Sequence, residues 1–181
     1  MLATYMWKAL KGLYPEDDQY YSYIDVNKPT YKDVLAELEE YIHWEGPFDL
    51  IGAACQSASL AAALSYSKET DNENSQLFKG AIFLSGDHPF DQAALKGNSL
   101  KFMESDNGHT HLAIPTANIW GLKDERARLN APKLAALCNL ETNFNFIHNS
   151  TSSIPQARDY EDLVGAAQVI RRTVDLALYA H

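Results

Sequence analysis

The clearest period in the chain runs from Thr30 to Gly46. Val34, Leu35, Leu38, Tyr41 and Ile42 fall on one helical face, and Asp33 sits where a capping-box acid follows Thr30. This helix is predicted to end at Gly46-Pro47, and the unbroken apolar run Phe48 to Ala54 then reads as a strand buried on both faces. An alanine-rich stretch from Gln56 through Ser67 predicts a second helix, followed by a solvated loop over the polar string Glu69 to Ser75. Residues 81–84, residues 112–120 up to Gly121, and residues 143–148 predict further strands, rich in aromatic and branched residues. Arg126 to Cys138 and Arg158 to Tyr179 predict further helices, and Leu2, Met6, Ala9, Leu10 and Leu13 are spaced for a helix near the start. Tyr14 to Pro29 is polar and tyrosine-rich with no period.

The order strand, helix, strand, loop, strand, helix, strand, helix predicts an α/β fold: a shortened three-layer sandwich around a mostly parallel sheet. Right-handed crossovers would gather the C-terminal ends of the strands, and any ligand site, along one edge. A length of 181 residues with 46% apolar composition suits one core, so residues 1–181 are expected to form a single domain. An open sheet of four strands leaves two bare edges, and homodimerisation would cover one of them.

Charge narrows the partners. The chain carries a formal net charge of −9, and its longest Lys/Arg cluster is the pair Arg171-Arg172, which argues against a nucleic acid partner. The opening MLATYMWKALKGLYPEDD has neither a signal h-region nor a membrane span, so a cytoplasmic protein without a membrane partner is expected. Cys55 and Cys138 are too few for a disulfide framework and read as reduced thiols. His109 and His111 have a metal-pair spacing with no third ligand in view, so no metal or cofactor is expected.

The chemistry concentrates in GPFDLIGAACQSASLAAAL, where a strand runs straight into a small-residue helix with Cys55 at the junction. Such a corner lifts its central side chain above the sheet, at the N-terminus of the helix. In the G-x-S-x-G elbow the glycines relieve crowding beside the nucleophile; here the frame is Ala53-Ala54-Cys55-Gln56-Ser57. A buried structural cysteine after a strand is the plain alternative.

This segment resembles the elbow of FSH-type serine hydrolases, approximately GPFDGVLGFSQGAALAAAL. These are α/β hydrolases related to the human ovarian tumour suppressor candidate protein. Two more pieces are similar: KGAIFLSGDHPF resembles the family's strand ending in SGF, and IPTANIWGLKD resembles the strand and G-x-x-D turn that deliver the catalytic acid. The resemblance spans Tyr20 to the C-terminus. It implies Cys55 at the nucleophile position, Asp124 at the acid, and Gln56 as an oxyanion amide. FIHNSTSSIP resembles H-x-G-G-H-x-x-P, with His148 on the first histidine and Ser152 where the family has its general base. Tyr21 and Tyr23, beside Tyr20, resemble a pocket-lining loop, which a plain aromatic loop over the core would match equally.

Three departures bear on activity. Cysteine replaces serine, which a helix N-terminus tolerates by favouring thiolate. The base is serine, which cannot shuttle the proton. No LxLHG-like segment, the family's source of an oxyanion donor, precedes the tyrosines, and one such donor is worth about 10²–10³-fold. His88, His109 and His111 offer a recruited base, and His88 and His148 a substrate contact. The first expectation is therefore a non-hydrolytic enzyme that cyclises or isomerises a hydrophobic small molecule, a polyketide intermediate being in keeping with the family. The alternatives are a cysteine esterase or thioesterase releasing an acyl or polyketide chain, and a non-catalytic binding or dimerisation partner.

Overall fold

The computed structural model describes residues 31–71, 77–97, 99–104, 112–151 and 153–179. The helix expected over residues 2–13, the tyrosine-rich stretch with Tyr21 and Tyr23, His109, His111 and Ser152 lie outside them. In order come α1 (Tyr31–Glu45), β1 (Leu50–Ala54), α2 (Gln56–Asp71), β2 (Gly80–Leu84), α3 (Gln92–Lys96), β3 (Thr116–Gly121), α4 (Glu125–Ala135), β4 (Asn143–His148) and α5 (Tyr160–Tyr179). The four strands pair in parallel in the order β1-β2-β3-β4, so each crossover moves one place along the sheet.

Apolar side chains explain why the layers form. Leu35 of α1, Leu60 and Leu64 of α2, Phe83 of β2, Leu95 of α3 and Leu134 of α4 share one buried cluster on one face of the sheet. On the other face α5 lies so close that a Cβ on Gly80 would meet the Ala177 methyl at 2.9 Å. A Cβ on Gly165 would approach Phe146 of β4 to 2.3 Å, so this helix needs glycine at its contact with the strand. Arg172 also lies over the Phe144 ring, 4.2 Å from its centre.

Several boundaries differ from the sequence expectation for identifiable reasons. The first strand begins at Leu50 and its residues are half-buried or exposed, because β1 is the sheet's edge and has no second strand neighbour among the described residues. The α2 helix continues past Ser67 to Asp71. The loop after β2 contains α3, started by Asp91, whose Oδ1 accepts from the Ala94 amide at 2.8 Å. Residues 112–115 do not join β3: Leu112 makes an isolated bridge with Cys138, and Pro115 offers only its carbonyl, to Ala81 N–H at 2.9 Å. The α4 helix ends at Ala135 because the following amides tighten into three-residue turns, Leu137 on Leu134 and Cys138 on Ala135.

Candidate active site

Cys55 occupies the corner between β1 and α2 with φ +51°, a left-handed backbone that costs a non-glycine residue about 1–3 kcal/mol. The surroundings hold it there. Its N–H donates to the Leu84 carbonyl at 2.9 Å, and its carbonyl accepts from Ala58 N–H at 3.2 Å and Asp87 N–H at 3.0 Å. One turn on, Ser57 Oγ accepts from Ala54 N–H at 3.0 Å and donates to the Ala54 carbonyl at 2.7 Å, satisfying both backbone groups of the residue before the cysteine. Ser85, at the end of β2, also has a positive φ of 47° and is tied to Ile119 of β3 at 2.7 Å. Two strained residues thus stand side by side at the C-terminal edge of the sheet.

The Cys55 residue is exposed on the surface, yet its sulfur is partly desolvated. Burial therefore pushes the thiol's pKa up from 9.0; a hydrogen bond with Ser153 opposes the rise, Asp87 adds to it, Arg126 opposes it and Asp124 adds to it. Ser153 Oγ stands 3.8 Å from Sγ, on the loop that follows β4. At neutral pH the thiol is protonated for the most part.

Asp124 is the N-cap of α4, its Oδ1 accepting from Ala127 N–H at 3.0 Å, and it has no imidazole partner among the described residues. His148 is buried at the end of β4. Its Nδ1 contacts Ser150 Oγ at 2.9 Å, while Nε2 has no completed hydrogen bond among the described residues although the Ser153 backbone lies close by. His88 is buried: its Nε2 donates to the Met103 carbonyl at 2.6 Å and its ring stacks on Phe102. Gln56 is half-buried and opens α2 directly after the cysteine. No group of three or more His, Cys, Asp or Glu suited to a metal ion occurs among the described residues. No helix among them is long and apolar enough to cross a membrane.

This corner, with an acid turn after the third strand, is where a hydrolase of the elbow type keeps its nucleophile and acid. The profile of the family described as "Serine hydrolase (FSH1)" matches residues 4–164. The chain belongs to this family. It is 28% identical over 146 residues to Esterase FPY3 of Fusarium mangiferae, a match covering 80% of this chain and 65% of the relative. The chain therefore spans somewhat less than two thirds of that esterase's length.

The structure brings Cys55, Gln56 and Asp124 to the same edge of the sheet, while the ring of His88 is bonded to the Met103 carbonyl. It also shows two residues that sequence reasoning missed. Asp87 and Arg126 form a forked ion pair beside Cys55, one from the loop after β2 and the other from the first turn of α4. The pair joins positions 39 residues apart, a distance that no local spacing reveals.

The two histidines predict a pH dependence for stability. Burial lowers the pKa of both His88 and His148 from 6.5, with the Met103 carbonyl opposing this at His88 and Asp162 opposing it at His148. The folded protein then binds fewer protons than the unfolded chain, so their contribution is complete above pH 6.5 and is lost as pH falls through the lowered values. Urea midpoints measured from pH 7.5 down to pH 5 should fall, and replacing both residues by glutamine should flatten that fall.

Proposed function

We propose that the chain is an acyl acceptor of the FSH hydrolase family, in which Cys55 takes an acyl group from a thioester or activated ester and releases it slowly. The observation that carries this reading is the strained left-handed Cys55 at the strand-to-helix corner, its sulfur facing Ser153 Oγ at 3.8 Å. Strain maintained by several hydrogen bonds at this position supports a side chain held for use.

In the proposed step Sγ attacks the thioester carbonyl, a new sulfur–carbon bond forms and the bond to the departing thiol breaks. The proton leaving Cys55 passes by way of Ser153 Oγ to the departing sulfur, so atoms and charge balance. Water must then cleave the Cys55 thioester, a step that needs a base. Among the described residues no imidazole is bonded to Sγ, which makes this second step the slow one. The substrate class is suggested by a cavity of about 350 Å³ beside β1, the edge strand among the described residues, lined by Leu38, Ile42, Phe48, Leu60 and Leu64 and reaching Ala53 and Ser57 on either side of the corner. Such a lining suits an apolar chain, including one of polyketide origin.

The same raised thiol, with no imidazole contact to it among the described residues, favours a second reading, in which the site cyclises or isomerises a hydrophobic molecule without covalent capture. Intact-mass spectrometry during incubation with a medium-chain acyl thioester, with free thiol and free acid followed in parallel, separates the two. An adduct mapped to Cys55, with thiol released faster than acid, is the expected result. No adduct and no acid above the Cys55→Ala background would overturn the acyl-acceptor reading in favour of the second.

A further inference from the structure

Arg126 Nε donates to Asp87 Oδ1 at 2.9 Å and its Nη2 donates to Oδ2, a fork that fixes both groups in one plane. The Asp87 side chain is 12% exposed and that of Arg126 41%, so water screens the pair only in part. The backbone N–H of Asp87 meanwhile donates to the Cys55 carbonyl at 3.0 Å. One residue therefore anchors both the guanidinium and the strained corner.

We propose that Asp87 and Arg126 are positioning residues for Cys55 that set, with opposite signs, how readily its sulfur carries negative charge. The inference deepens the acyl-acceptor reading and takes its meaning from it, while its test does not depend on acyl chemistry. The groups whose charge or hydrogen bond reaches the thiol come from three segments: Asp87 after β2, its backbone N–H on the Cys55 carbonyl, Asp124 and Arg126 at the start of α4, and Ser153 after β4, in contact with Sγ. Two carboxylates stand against one guanidinium. Asp87 opposes a thiolate directly and also neutralises the cation that would support one. Arg126 favours the thiolate.

The test is the rate of Cys55 alkylation by iodoacetamide across pH, with peptide mapping to separate it from the buried Cys138. At neutral pH Asp87→Asn is expected to speed the reaction and Arg126→Gln to slow it, each by about three- to tenfold, while Arg126→Lys stays within about twofold of the parent. A corner that had merely loosened would move both neutralising variants in the same direction. Shifts of one sign, or none, overturn the proposal. Should Asp87→Asn fail to fold, the arginine variants decide alone: if lysine rescues no better than glutamine, the charge is irrelevant and the proposal falls. Opposite-signed shifts in a protein that takes no acyl group from a thioester would keep this inference and discard the acyl-acceptor reading.

Discussion

Cys55→Ser is expected to slow acyl uptake from a thioester by about 10²–10⁴-fold, even though it restores the nucleophile found in the FSH family. A thiol needs little help to attack a thioester carbonyl, because a small thiolate fraction is already highly nucleophilic. A serine hydroxyl does need help: a positioned base must take its proton in the transition state, and the described neighbours of Sγ supply a hydroxyl from Ser153 and no imidazole. Single-turnover mass spectrometry reads the rate directly. The family resemblance places its base at position 152, so Cys55→Ser combined with Ser152→His should recover at least about tenfold of the loss by restoring general-base catalysis. A Cys55→Ser protein that acylates as fast as the parent would mean that a base already serves this site, with His109 and His111 the first to replace.

Phe83→Ala is expected to destabilise the fold by about 3–5 kcal/mol, the range for removing a fully buried aromatic ring. Phe83 is 1% exposed and sits in the cluster that joins α1, α2, α3 and α4 to the sheet. Relaxation around the vacated space is limited at the neighbouring Gly86, where even an added methyl would meet Leu134 at 2.5 Å and Ala58 at 3.2 Å. Domains of this size have about 5–15 kcal/mol in total, so the variant should melt roughly 10 °C lower and show a reduced denaturant midpoint at unchanged slope. A loss below about 1 kcal/mol would show that the shared cluster is not what holds the helices to the sheet.

The elements were legible in the sequence to different degrees. The fourth strand stands where its alternating residues put it, at Asn143–His148, and α1 where its apolar face put it. The burial of β1 was not legible, because an apolar run reads alike at the centre of a sheet and at its edge. The elbow was legible through its run of small residues around Cys55, and the acid turn through G-x-x-D. The roles within the site were less so: His88 carries no local mark that its ring nitrogen is bonded to Met103.

What the sequence determined by itself, then, was the alternation of strand and helix, the family resemblance and the place of the cysteine at a corner. These depend on residues within a few positions of one another, where periodicity and turn chemistry act directly. The tertiary structure alone decided that Ser153 faces the sulfur and that Asp87 and Arg126 pair beside Cys55. Those contacts join loops from different strands, and parallel β-sheets bring such loops together at one edge only after every crossover has packed.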